Sequence, residues 1–318
     1  MTDFRQQLAS HRPLLLRHCY RMLGSFPDAE DVVQETLLRA WNAREGYSGA
    51  APVSHWLMRI ATNACFDALA SRRRRGLPQL EKEAADGAAP IEAGCVADWL
   101  TPAPDARLFP QSLVAPARAL ETRESVALAF LALLQRLPPR QRAVFLLKDV
   151  MDWSVAEIAA ALDMSEASVS SALHRARETI ALPEPRRGSE PDPEILRAYV
   201  SSWERHDVEA MLSLLRDDIV FSMPPFATWF RGREDLHRFL RGPVFSARWA
   251  AGFRVRLTKA NGELGLAFYR GDGTNFVASS LQVVQFIDNR VVDILCFIGP
   301  QYLRGFDLPE RIPSESPS

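Results

Sequence analysis

At 318 residues the chain is long enough for two or three domains, each with its own core. A net charge of −1 excludes a globally basic coat for nucleic acid, so any such affinity must be local. The four cysteines, Cys19, Cys65, Cys95 and Cys296, are scattered without a CxxC pair, which speaks against a disulfide framework or a zinc site and fits a reducing cytoplasm.

The N-terminus does not have the pattern of a signal peptide, since Asp3 and Arg5 interrupt it, and no apolar run approaches the ~18–20 residues of a membrane span. Residues 4–75 carry helical periodicity. Leu8, Leu14, Leu15, Cys19 and Met22 form a face that stops at Gly24. Pro27 then opens DAEDVVQETLLRAW, in which Ala29, Val32, Val33, Leu37, Ala40 and Trp41 make the inward stripe. Asp28, Asp31, Gln34 and Glu35 point outward. Acids at the front of a helix also suit its positive dipole end, which is the plain structural reason for them. After a loop at 46–52, VSHWLMRIATNACFDALASRRRR is a long helix with Arg59, Asn63, Arg72, Arg73, Arg74 and Arg75 among its polar members. Trp56 and Phe66 are apolar members that fit a core better than a stacking platform.

Residues 77–119 are rich in Pro, Ala, Gly and acids and are expected to be a linker with little fixed structure. Within it, Trp99 and Leu100 stand beside Pro102 and Pro104. A large aromatic is costly in a free linker, so this pair is expected to anchor in a groove of a neighbouring domain.

Helices resume over 120–182. In SVAEIAAALDMSEASVSSALHRARE, Ile158, Ala159 and Leu162 make one apolar face, Asp163 and Met164 break it, and Ser165 caps a second helix. Val169, Ala172, Leu173 and Ala176 of that helix face inward. Ser168, Ser170, Ser171, His174 and Arg175 are left on outer faces, the short hydroxyls and long cation of a helix that reads a DNA major groove. Two packed helices of any bundle would give the same apolar pattern. Asp163 occupies a turn site that favours a left-handed backbone, where Gly is usual and Asp is tolerated. Arg140 and Arg142, beside the Pro138-Pro139 helix start, are expected to hold backbone phosphates.

A second linker covers 183–192. Residues 193–307 change character to two helices, a strand at 219–223, a short helix at 233–241 and strands near 252–259, 263–270, 276–287 and 290–298. Turns at Asn261-Gly262, Gly271-Asp272-Gly273 and Asp288-Asn289 join the later strands, giving an α+β domain built on an antiparallel meander. Its polar and aromatic candidates are Tyr199, His206, Asp207, Trp229, His237, Tyr269, Asp272 and Asp293. Asp207 is expected to be a helix cap, Asp272 a turn residue, and His206 and His237 surface residues. No pair has diagnostic spacing, so no catalytic residue, metal ligand or cofactor is assigned.

The segments DAEDVVQETLLRAW and YSGAAPVSHWLMRIATNACFDALASRRRR resemble region 2 of extracytoplasmic-function sigma-70-type RNA polymerase sigma factors. LQRLPPRQRAVFLLKDVMDWSVAEIAAALDMSEASVSSALHRARETI resembles region 4. With WLTPAP in the linker and a tail similar to SnoaL-like domains of the NTF2-like superfamily, the resemblance extends to the SigG-like subset. It implies a multidomain chain: region 2 as a helical bundle over 4–76, region 4 as a helix-turn-helix over 120–182, and an NTF2-like cone with a curved antiparallel sheet over 193–307. It also implies core polymerase and promoter DNA as partners, with an anti-sigma protein or a small-molecule ligand as further candidates. In that frame Asp28, Asp31, Gln34 and Glu35 would grip the polymerase. Arg59, Asn63 and Arg72–Arg75 would read the −10 element, and Arg140, Arg142, Ser168, Ser170, Ser171, His174 and Arg175 the −35 element. The competing readings are a free-standing helix-turn-helix regulator with a ligand-sensing tail, and an enzyme working through the SnoaL-like pocket.

Overall fold

The computed structural model describes residues 2–70, 75–88, 91, 94, 99–110, 126–180, 188–245 and 252–314. The chain divides into two compact units, each assembled from two separate stretches: residues 1–75 with 106–185, and residues 76–105 with 186–318.

The first unit is helical. It begins with α1 (Thr2–Ser10), α2 (Arg12–Leu23), α3 (Phe26–Asn42) and α4 (Val53–Leu69). Gly24 ends α2 in the left-handed conformation at φ 67°, and its N–H returns to Tyr20 O. Ser25 caps α3, accepting from the Asp28 N–H, and Pro27 sits in the first turn, where no donor is lost. Leu15, Cys19, Met22, Ala29, Val33, Leu57, Ala61 and Cys65 are buried between these helices. The second stretch supplies α5 (Leu128–Arg136), α6 (Pro139–Phe145), α7 (Val155–Leu162) and α8 (Glu166–Ile180). Pro138 and Pro139 divide α5 from α6: Leu137 is extended, as a residue before proline prefers to be, and Pro139 begins the next helix.

The second unit is α+β. Its helices are α9 (Pro193–Glu204), α10 (Val208–Ser213) and α11 (Arg233–Phe239). Its strands are β1 (Leu215–Ser222), β2 (Trp229–Arg231), β3 (Phe253–Ala260), β4 (Glu263–Gly271), β5 (Asn275–Ile287), β6 (Arg290–Ile298) and β7 (Arg311–Pro313). They lie in the order β2-β1-β6-β5-β4-β3, with β7 beside β5. β3 to β6 form the expected antiparallel meander, joined by tight turns such as Asn261-Gly262, where both residues have positive φ. The sheet as a whole is mixed and unclosed, not antiparallel, because β1 runs parallel to β6. A parallel neighbour needs a long crossover, and here everything from β2 to β5 lies between the two strands. On one face of the sheet Phe253, Leu266, Phe268, Val284 and Ile294 pack with Tyr199, Trp203 and Met211 of α9 and α10 and with Leu236 and Phe239 of α11.

The expectation of a structureless linker does not hold for residues 76–88 and 99–105, which are fastened to this second unit. Trp99 Nε1 donates to Pro225 O at 2.9 Å, Trp229 Nε1 donates to Lys82 O at 3.0 Å, and the Ala85 N–H donates to Trp229 O at 2.8 Å. Further along, Ala103 and Asn261 exchange two bonds, and the Gly262 N–H donates to Asp105 Oδ1. Composition suggested a spacer because Ala, Pro and Gly dominate it. Those residues lose little side-chain entropy when ordered, so they also suit an extended strap held by its backbone.

Candidate nucleic-acid interface

The helix-turn-helix is built by local capping. Ser154 and Glu157 form a reciprocal capping box at the start of α7. The Glu157 carboxyl sits below its ordinary pKa, held there by the Ser154 hydroxyl and N–H and then by neighbouring charges. Asp163 closes α7 in the left-handed conformation at φ 51°, the geometry its place in the turn requires. Ser165 then accepts from the Ser168 N–H at 3.2 Å, and the two hydroxyls lie 2.8 Å apart. Val169, Ala172, Leu173 and Ala176 are buried, while Ser168, Ser170, Ser171, His174 and Arg175 are exposed.

Arg140, Ser168, Ser171 and Arg175 line one open groove of about 450 Å³, together with Gln141, Met164 and Ala167. This brings two cations and two hydroxyls to one surface. Ser170 and His174 lie on the same helix outside that lining, and His174 is 3.4 Å from Glu178. Arg177 is engaged by both oxygens of Asp149, at 3.0 and 2.6 Å, which fixes the C-terminal half of α8 to the unit. The expected phosphate role of Arg142 is corrected here. Its side chain is buried, 3% exposed, among carbonyl oxygens. Arg140 and Arg142 are two residues apart on α6, so about 200° of helical rotation sends one outward and the other into the core.

On α4, Arg59 and Asn63 are exposed. Arg59 lies 3.8 Å from Asp163, a solvent-facing pair of small energetic weight. Phe66 is half-buried, and Trp56 is half-buried against Tyr47 of the preceding loop, with ring centroids 4.9 Å apart. Arg72, Arg73 and Arg74 lie outside the described residues. Arg75 and Asp28 were expected on DNA and on polymerase, respectively. They bind each other instead, at 2.7 Å and with both side chains largely buried. Arg75 also donates to Leu23 O. Each charge is used in fastening the start of α3 to Arg75, in the segment that follows α4.

The remaining outer residues of α3 form a compact patch. Asp31, Gln34 and Glu35 are exposed, and Leu38 on the same face is 59% exposed. Glu35 is held at 2.6 Å by Arg39, which also reaches Asp67. The face thus carries an acidic rim around a protruding leucine. Sequence reasoning missed Leu38, whose exposure breaks the helical stripe. It also missed Gln135, a polar residue at an inward position of the apolar run LAFLALLQR.

Family models match in three places: Sigma-70 region 2 over residues 8–75, Sigma-70 region 4 over 127–180, and a SnoaL-like domain over 196–299. The ECF RNA polymerase sigma factor SigG of Mycobacterium tuberculosis is 38% identical, across 98% of this chain and 85% of its own. This chain belongs to the extracytoplasmic-function family of RNA polymerase sigma factors. The same organism's sigma factor SigJ is 28% identical across 94% of this chain and 93% of its own. The crystal structure of SigJ shares the fold, with a TM-score of 0.59 at 23% identity, covering 97% of this chain and 99% of that one.

In this sigma factor region 2 comprises α1–α4 and region 4 comprises α5–α8, both within the first unit. The tail's polar candidates are engaged structurally. Asp207 caps α10 by accepting from the Ala210 N–H at 2.9 Å, and Asp272 accepts from the Thr274 and Asn275 N–H groups in a turn. Tyr199 Oη donates to Gln282 inside the cone, and burial raises its pKa far above the phenol range. His237 is 3.2 Å from Glu209. His206 is half-buried: its ring lies 4.9 Å from Phe245 and 5.5 Å from Phe253, and desolvation lowers its pKa.

Proposed function

We propose that the acidic face of α3 grips core polymerase, that α4 reads the −10 element and that α8 reads the −35 duplex. The chain itself acts as a sigma factor: it joins core polymerase, directs it to a subset of promoters and starts transcription there. Work with polymerase places it in the cytoplasm. The observation that carries the residue assignment is the open groove where Arg140 of α6 meets Ser168, Ser171 and Arg175 of α8. Hydroxyls and a guanidinium there can reach base edges while Arg140 holds a phosphate. Run-off transcription from genomic DNA, with core polymerase alone and with this chain added, tests the reading. Starts that do not depend on the chain would reject it. The pair Asp31→Arg and Glu35→Arg should weaken polymerase capture several-fold in a pull-down while leaving region 2 folded, because both residues lie on the polar face.

The tail is read as regulatory, without chemistry of its own. Among its candidates Asp207 is spent on a cap, Asp272 on a turn and Tyr199 on a buried bond to Gln282. Its handle on the sigma domains is the strap: residues 76–105 join regions 2 and 4 in sequence, yet Lys82, Ala85, Trp99, Ala103 and Asp105 are all bonded to the SnoaL-like domain. Trp99→Ala removes the anchoring bond to Pro225 O and should both raise protease cleavage within 76–105 and shift run-off yield. An unchanged cleavage pattern and yield would remove Trp99 from the coupling.

A further inference from the structure

The groove between α6 and α8 has a chemistry that its cations and hydroxyls do not account for. Besides Arg140, Ser168, Ser171 and Arg175, its lining holds Met164, Ala167 and Ala172, side chains without a hydrogen-bond donor. The local fold puts them there. Asp163 turns the backbone at φ 51°, and the Met164 N–H returns to Ala159 O at 3.0 Å, which ends α7. Helix α8 begins two residues later, so Ala167, Ser168, Ser171, Ala172 and Arg175 fall on one side of it at three- and four-residue spacing. Ala172 is 4% exposed, Met164 is half-buried and Ala167 is exposed.

In the DNA major groove each base pair offers donors and acceptors, but its one apolar substituent is the C5-methyl group of thymine. A polar base edge pressed on Met164 and Ala167 loses its water and gains no partner. A thymine methyl loses only hydration that is already unfavourable. Among the described residues no acid lines the groove, and Arg140 and Arg175 complement the phosphates and the guanine edges around such a methyl. An apolar surface flanked by cations therefore fits a duplex better than it fits the apolar face of a protein helix, which has nothing to offer the two guanidinium groups.

We infer that Met164 and Ala167 form a thymine-methyl site, and that this chain selects a thymine in the −35 element beside the bases met by the polar groups of α8. The inference rests on the reading of α8 as the −35 helix and adds the base that the apolar part of its groove selects. Ser168 and Ser171 leave a choice open, since a hydroxyl serves as donor or acceptor and suits several bases. The apolar wall closes that choice at its own position, because cytosine has a hydrogen where thymine has the methyl.

The test uses the full chain assembled with core polymerase. This holoenzyme selects from promoter duplexes with a randomised −35 segment, and each thymine of the selected segment is then replaced singly by deoxyuridine, which lacks only the methyl. One replacement should lower affinity about fourfold, the worth of burying one methyl-sized group. In the double variant Met164→Gln, Ala167→Ser the same replacement should cost nothing, because the site for the methyl is gone. A selected segment without thymine on either strand overturns the proposal. So does deoxyuridine that is neutral at every position, or a loss that persists in the double variant. Should the double variant not fold, the deoxyuridine series on the parent decides alone. Weakened polymerase capture by the double variant, with deoxyuridine neutral throughout, gives the groove to a protein partner and likewise overturns the proposal. Failure of the −35 reading itself is distinguishable: the parent then enriches no −35 sequence, whereas failure of the thymine site leaves an enriched sequence indifferent to deoxyuridine.

Discussion

The outer face of α8 and the interior of the SnoaL-like domain use their side chains in opposite ways. On α8 the hydroxyls of Ser170 and Ser171 and the guanidinium of Arg175 are exposed to solvent. In the cone, Trp203 meets Phe245, Phe253 and Phe268 at centroid distances of 5.6, 6.4 and 5.1 Å, and Tyr199 meets Phe286 at 5.9 Å. These rings pack against one another in the interior of the domain. A surface whose polar atoms are uncommitted is poised to bind, whereas one whose aromatic groups saturate each other is poised to be stable. On this comparison recognition in the molecule belongs to the sigma domains, and the tail is an ordered body that holds the strap.

The sharpest way to break the comparison is Trp203→Ala. If the cone is core, the loss is about 3–5 kcal/mol, read as a lower midpoint in denaturant unfolding of the tail. A variant as stable as the parent would mean that the ring lines a cavity.

A second test concerns how the strap is held. Glu263 begins β4 beside Asp105, and burial first, Asp105 second, push its pKa up to about 7. A carboxyl whose pKa is raised on folding binds its proton more tightly in the folded state. Its contribution is complete below the ordinary value of 4.5 and is lost as pH rises through about 7. Stability of the second unit should therefore fall between about pH 4.5 and pH 7, by no more than about 3 kcal/mol from this group. Glu263→Gln should flatten that part of the profile, and a profile unchanged by the substitution would detach Glu263 from the strap's stability.

On the recognition side, Arg175→Ala should cost about 1–3 kcal/mol of discrimination between −35 sequences while polymerase capture is unaffected. Arg140→Ala should weaken all duplexes alike and reduce the slope of log affinity against log salt by about one. Equal binding by parent and Arg175→Ala to every promoter would remove that side chain from base reading. These are smaller effects because each touches one contact of many.

Most of this architecture was legible in the sequence. The stripe Ala29-Val32-Val33-Ala40, the Ser165 cap and the Asn261-Gly262 turn each follow from local chemistry, and each lies where its period or backbone preference put it. The strands β2 and β7 escaped because three residues carry no alternation. The direction of β1 against β6 escaped because pairing between segments some 70 residues apart leaves no local signature. Among the candidate site residues, periodicity separated outward from inward positions on α8 but not on α6. Seven residues opened by two prolines are too few to show which of Arg140 and Arg142 faces the core. Arg75 and Asp28 were misplaced for a related reason: charge marks a residue as polar, and only the fold shows whether its partner is another molecule or its own neighbour.

The strap has one more consequence, for the order in which the chain is made. Residues 76–105 leave the ribosome between regions 2 and 4, but Pro225, Trp229 and Asn261, which fasten them, belong to a domain whose central strands are complete only at β6. At about 5–20 residues per second, the roughly 190 residues from the strap to the end of β6 take some 10–40 s to synthesise. Region 4 is complete by residue 180, so while the last roughly 120 of those residues are made each nascent molecule has both sigma regions and an undocked Trp99-Leu100 segment. The strap thus docks only after both sigma regions are complete.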